Sequence, residues 1–247
     1  MLHTTTYGEG GVPLVIAHGL YGSGRNWGVI GKRLSDRGRV ILPDIRNHGQ
    51  SPHFESHGYE DMAGDLAQVI AAEGGPADVL GHSMGGKAAM VLALTRPELV
   101  RRLVVVDIAP VAYSHTQSHV IEAARQVDLA TVQSRAEAQE ALGLDPVEAS
   151  FLLQSLDMKA RAWRLNLDVL EREMGRITGF PEVGGRFEGP AFFLSGGESS
   201  YVQPEHRERI KALFPEARIP KIPGAGHWVH ADNPREVEAA VRAFLDA

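Results

Sequence analysis

The sequence predicts an α/β fold: a mostly parallel sheet of about seven or eight strands, helices on both faces, and a helical insertion between the fourth and fifth of the strand-like runs. Three observations carry this. Short apolar runs alternate with longer amphipathic stretches, the pattern of strands joined by crossover helices. Several of those runs are continuously apolar, which fits strands buried on both faces. Finally, the alternation stops between about residues 112 and 179, where apolar residues recur at helical spacing instead.

The strand-like runs are 12–17, 40–45, 77–80, 103–106, 191–194 and 217–222. Helical patterns fall at 26–37, 59–73, 84–95, 204–214 and 234–245. The last two begin with Pro204 and Pro234, and a proline in the first turn forfeits no helical hydrogen bond. Within 112–179 the apolar positions Val120, Ile121, Ala124 and Val127, then Phe151, Leu152 and Leu156, then Trp163, Leu165, Leu167 and Leu170 indicate three or four helices and no strand. The expected organisation is a core of residues 1–111 and 180–247 with residues 112–179 inserted as a helical cap, or lid. Ligands of open α/β sheets bind at the carboxyl ends of the strands, where such an insertion lies. The plain alternative is an extra helical layer with no gating role.

Composition narrows the function. The 247 residues include no cysteine, so disulfides, a thiolate nucleophile and a Cys-ligated metal are excluded. The net charge of −6 argues against a nucleic-acid binder, which shows a basic face. The first residues lack the basic and apolar regions of a signal peptide, and no apolar run reaches the ~20 residues of a membrane span. A cytoplasmic protein is expected.

Gly81-His82-Ser83-Met84-Gly85-Gly86 matches G-x-S-x-G. It lies between the run 77–80 and the helical pattern 84–95, the strand–turn–helix setting that makes the motif a nucleophile elbow. Glycines at 81 and 85 remove Cβ atoms that would clash in so sharp a turn. The serine is then exposed at a helix N-terminus, where free N–H groups favour developing negative charge. His18-Gly19-Leu20-Tyr21-Gly22 follows the first buried run. Acyl transfer needs two N–H donors for the oxyanion, and Leu20 and Met84 are assigned as those donors.

The base must be chosen among eleven histidines. His227, in Gly224-Ala225-Gly226-His227-Trp228, follows the last strand-like run and comes after the serine, as the chain order of such a triad requires. His230 is its main competitor. His82 is expected to point away from Ser83, and His48, His53 and His57 to lie near a pocket rim. The acid has two candidates. The loop after 191–194 offers only Glu198, beside Ser199 and Ser200, while Asp107 ends the apolar run 103–106. Asp107 is favoured, because a carboxylate ending an apolar strand needs a partner such as an imidazolium. Asp44 precedes the serine and is read with Arg46 as ordering its loop, with Gly49 allowing a tight turn; Trp163 and Leu167 are read as packing within the insertion. No histidine or carboxylate cluster has metal-ligand spacing, so neither metal nor cofactor is expected.

These motifs, together with Asp44-Ile45-Arg46-Asn47-His48-Gly49-Gln50-Ser51-Pro52-His53 and Val106-Asp107-Ile108-Ala109-Pro110, resemble those of the α/β-hydrolase superfamily. More narrowly, the chain is similar to the small YbfF-like esterases and their abhydrolase-domain relatives, from about Val12 to Pro234. The resemblance implies Ser83 as nucleophile, Asp107 as acid and His227 as base, with a helical cap over the pocket. It also implies hydrolysis of short- to medium-chain acyl esters, a small-molecule ester as the partner, and no cofactor. Ser199 matches a small polar residue that this branch carries in the later loop; Glu198 stands where an uncharged residue is expected. The same triad serves thioesterases, lactonases, C–C hydrolases and perhydrolases, and the fold can also act as a non-enzymatic binding module. The triad alone does not separate these.

Overall fold

A computed structural model describes residues 1–247. The chain begins with strands β1 (Thr4–Tyr7) and β2 (Leu14–Ala17), a 3-10 turn (Gly24–Trp27), helix α1 (Gly28–Leu34) and strand β3 (Val40–Pro43). Helix α2 (Tyr59–Ala72), strand β4 (Ala77–His82), helix α3 (Met84–Thr95) and strand β5 (Val100–Val106) follow. The next stretch holds α4 (Ser118–Gln126), α5 (Arg135–Leu142), α6 (Pro146–Leu153), the strands β6 (Leu156–Asp157) and β7 (Ala162–Trp163), α7 (Leu167–Arg172) and α8 (Met174–Thr178). The chain closes with β8 (Ala191–Gly196), α9 (His206–Leu213), β9 (Ala217–Arg218), β10 (Lys221–Ile222), α10 (Val229–Asp232) and α11 (Pro234–Leu245).

The main sheet has eight strands in the order β1-β3-β2-β4-β5-β8-β10, with β9 also paired to β8. Only β1 runs antiparallel. Side chains alternate across it as a strand dictates. Val15, Ala17, Ile41, Val79, Leu103, Val105 and Phe193 face a large apolar cluster shared with α2, α3 and α9. Leu14, Ile16, Val40, Leu42, Leu80, Val104, Val106 and Leu194 face a smaller one built with α1 and α11. From β2 the chain crosses one way to β3 and the other way to β4, which opens a crevice between the carboxyl ends of β2 and β4.

Three expectations need correction. The polar strand β1 went unread because its Thr-rich sequence is an exposed edge with no buried face to mark it. The stretch 112–179 contains five short helices rather than three or four, and a two-stranded hairpin, with Leu156 paired to Trp163 and Asp157 to Ala162. Trp163 and Leu165 therefore lie outside helices; the Trp163 indole still packs within the insertion and donates to the Ala124 carbonyl at 2.9 Å.

The inserted segment is firmly attached. Its buried residues, among them Val120, Leu142, Leu152 and Leu170, belong to the same apolar cluster as α2 and α3. Its backbone pairs with the loop after β3: Gly49 N–H donates to Arg164 O at 2.8 Å, and Asn166 N–H to Asn47 O at 3.0 Å. The Ser155 hydroxyl donates to Tyr21 O at 2.8 Å, and the Tyr59 hydroxyl to Ile177 O at 2.5 Å. No helix is long and apolar enough to cross a membrane.

Candidate active site

The elbow is a steric device. Ser83 adopts φ 51° and ψ −119°, between the end of β4 and the start of α3. A Cβ on Gly81 would lie 2.2 Å from Gly85 O, and one on Gly85 would lie 2.4 Å from Ala17 O. Only glycine allows the helix to pack so closely on its own strand and on β2. Met84 is the first residue of α3, so its N–H has no acceptor within the helix.

Beside it, Asp107 leaves β5 at φ 53° and is fully buried. Its carboxylate accepts from Gly196 N–H at 2.9 Å, from the Ser199 hydroxyl at 2.5 Å and from His227 Nδ1–H at 2.7 Å. The opposite ring nitrogen, Nε2, lies 3.0 Å from Ser83 Oγ. The structure thus brings Ser83, His227, Asp107 and Ser199 into one hydrogen-bonded chain. Glu198 is not part of it: that side chain is exposed, although its backbone N–H bonds Ala225 O at 2.9 Å.

Two contacts hold His227 in place, and sequence reasoning assigned neither. The Tyr201 ring stacks on the His227 ring, with centroids 3.9 Å apart and planes at 20°. The other is His82, whose Nε2–H donates to the His227 carbonyl at 3.0 Å. Tyr201 lies in the loop after β8, and no spacing rule links that position to an imidazole from a different loop.

The loop carrying Leu20 is set by buried histidines. His18 donates Nδ1–H to Gly19 O at 2.8 Å and accepts Ile45 N–H on Nε2 at 2.9 Å. His48 donates Nδ1–H to Arg46 O at 2.9 Å and accepts Tyr21 N–H on Nε2 at 3.1 Å. Each ring must be neutral to accept on one nitrogen. Burial favours that form: it lowers the pKa of His18 and drives that of His48 well below the usual histidine value. Tyr21 is thereby held at φ 63°, and no hydrogen bond engages the Leu20 N–H.

The expectation that His48, His53 and His57 border the pocket is overturned. None of the three lines the cavity: His48 and His57 are fully buried, while His53 is exposed. They follow a strand end, which places them near the crevice, but the tight loop turns two of them inward. Asp44 and Arg46 do order that loop. Asp44 accepts N–H groups from Gly24 and Gln50, both at 2.8 Å, and Arg46 grips Asp65 through two bonds of 2.6 and 3.0 Å. Gly49, at φ 59°, leaves room for the Asp44 carboxylate, which a Cβ would meet at 2.2 Å. His230, the rival base, is buried against Trp27, and neither of its ring nitrogens has a partner.

Ser83 and His227 open into a cavity of about 260 Å³. Leu20 and Met84 line it from the core, and Val120, Phe151, Leu152 and Ile177 from the inserted segment. Phe151, on α6, stacks on Trp228, the residue after His227, with centroids 3.9 Å apart.

A mostly parallel sheet with a serine elbow at its switch point, a histidine loop after the last strand and a helical segment between β5 and β8 fits the α/β-hydrolase class. The model of the alpha/beta hydrolase family matches residues 14–240, and the chain belongs to that family. It is 43% identical over 247 residues to the sn-1-specific diacylglycerol lipase ABHD11 of Mus musculus, with 94% of this chain and 80% of that protein covered. It is 38% identical over 240 residues to esterase YbfF of Escherichia coli (strain K12), covering 95% and 93%. A solved structure described as a marine microorganism esterase superposes with a TM-score of 0.93 at 37% identity, over 98% of both chains.

Proposed function

We propose that the protein is a carboxylic ester hydrolase that works through an acyl-enzyme on Ser83. The observation that carries this reading is the unbroken chain from Ser83 Oγ through His227 to Asp107, at 3.0 and 2.7 Å, on the floor of a largely apolar cavity. Relatives named as esterases and a lipase support the reaction class.

His227 Nε2 takes the Ser83 proton as Oγ attacks the acyl carbon. Asp107 holds the Nδ1–H tautomer and stabilises the imidazolium that forms, without taking the proton itself. Asp107 can do this while buried because three donors satisfy it. The N–H groups of Leu20 and Met84 receive the oxyanion; each such donor is worth about 2.7–4 kcal/mol in the transition state. His227 then protonates the leaving alkoxide, and the alcohol departs. In the second half His227 activates a water that attacks the acyl carbon, and the carboxylic acid leaves as Ser83 regains its proton. Residues 112–179 act as a cap that roofs the acyl chain and excludes bulk water. The cavity of about 260 Å³ lies just below the roughly 300–1,000 Å³ of drug-sized pockets, which suits short- to medium-chain acyl groups.

The test is Ser83→Ala. Hydrolysis of p-nitrophenyl esters and labelling by a fluorophosphonate should both vanish while the circular dichroism spectrum is unchanged. Undiminished turnover would refute the assignment.

A further inference from the structure

Lys87 is a buried lysine that the reaction above does not use. It lies on α3 one helical turn beyond Ser83, about 6 Å along the axis and on the same face. Its side chain is 1% exposed, yet it lines the cavity that Ser83 and His227 share. The ammonium donates to the carbonyls of Thr178, at 2.9 Å, and Gly179, at 2.5 Å. It lies over the Tyr113 ring, 4.7 Å from the centroid, with the Tyr59 ring 5.8 Å away.

An ammonium has three donors, and two are occupied. It has no acidic neighbour: burial alone moves its pKa, down to about 7. The other charged group of the cavity wall, Glu148, sits on α6 in the insertion, partly exposed and paired with His119 at 3.3 Å. A buried cation without a counter-ion is unfavourable, and an anion that enters the cavity removes that penalty while holding the lysine in its charged form. In a low-dielectric cavity such a charge-assisted contact is also stronger than a neutral one.

We propose that Lys87 binds a carboxylate at the far end of the acyl chain, so that the preferred substrates are monoesters of short dicarboxylic acids. The inference rests on Ser83 being the nucleophile. The ester carbonyl sits at Ser83 between the Leu20 and Met84 N–H groups. The chain runs along α3 past Met84, and its terminal carboxylate accepts the third N–H of Lys87. The two backbone carbonyls aim the ammonium, and the tyrosine rings screen it from water.

The experiment compares kcat/KM of the full-length protein on monomethyl succinate, glutarate and adipate with that on methyl butanoate, pentanoate and hexanoate. At least one half-ester should exceed its neutral counterpart of equal chain length by about tenfold or more, the scale of one hydrogen bond to a charged group. In Lys87→Met that ratio should fall to about one or below. Half-esters no better than neutral esters at every length in the native protein would overturn the proposal, whether or not the variant folds. A ratio unchanged in a folded Lys87→Met would do the same, leaving Lys87 as a tether for residues 178 and 179. Failure of the hydrolase reading itself looks different: no ester of either series is turned over, and Ser83 resists the fluorophosphonate.

Discussion

Replacing His230 by phenylalanine should make the protein more resistant to acid. The His230 ring is stacked on Trp27, with centroids 4.4 Å apart and planes at 16°, and both its nitrogens are buried without partners. Burial, with the nearby His227 adding to it, pulls its pKa from 6.5 to about 3. The folded protein therefore refuses a proton that the unfolded chain accepts. For a base lowered in this way, the stabilisation is complete above the unfolded pKa and is lost as pH falls from about 6.5 toward 3. At about pH 5 the unfolded state gains RT ln(1 + 10^1.5), or about 2 kcal/mol, from this one ring. Phenylalanine preserves the stack and titrates nowhere. Thermal unfolding followed by circular dichroism should then place the variant roughly 4–8 °C further above the native protein at about pH 5 than at about pH 7, taking about 2–4 °C per kcal/mol for this chain length. An equal gap at the two pH values would show that His230 does not couple protonation to unfolding. The native protein should lose stability steeply over the same window, because His18, His48, His57 and His82 are displaced in the same direction by burial.

Asp107→Asn should lower kcat by about ten-thousand-fold, the scale set by losing the correct imidazole tautomer, whereas Glu198→Gln should leave steady-state ester kinetics within about twofold, as an exposed surface change; a larger loss from the second would transfer the role of acid to Glu198. Tyr201→Ala removes the stack on His227 and should reduce kcat up to about tenfold, in line with about 0.5–1.5 kcal/mol for an aromatic pair. Tyr201→Phe keeps the stack and loses only the phenol contacts to His115 and Gln117, so equal losses in the two variants would argue against the stack. Gly85→Ala forces a Cβ to 2.4 Å from Ala17 O and 2.5 Å from His18 O. It should destabilise the fold by about 3 kcal/mol or more, measurable by urea denaturation.

What could be read from the chain was whatever local sterics impose. The elbow was legible because Gly81 and Gly85 flank a serine between an apolar strand and a helix, and no other common arrangement needs that spacing. Helices α3 and α11 fall on residues 84–95 and 234–245, as expected, because a glycine-flanked serine and a proline mark their starts. Asp107 was visible as a carboxylate that an apolar strand cannot leave unpaired. The rest depends on encounters between distant segments. Tyr201 and His227 meet only because β8 and β10 are neighbours. His48 and His57 look like polar loop residues, but their rings find partners in distant segments, His48 at Tyr21 N–H and His57 at Met84 Sδ. A two-residue strand such as β6 carries no period at all, so its hairpin could not be read from pattern.

Ser83, Asp107 and Tyr21 all have left-handed backbone, with φ of 51°, 53° and 63°. For residues with a Cβ, such conformations cost of order 1–3 kcal/mol each. The features that lift these groups out of the sheet therefore weaken the fold that carries them, so stability and chemistry compete for the same few residues. At Asp107 and Tyr21 the hydrogen bonds and burial of the side chain offset that cost, so selection for thermal resistance alone would drift toward glycine at Ser83. A Ser83→Gly protein should be inert, and it should also melt above its parent.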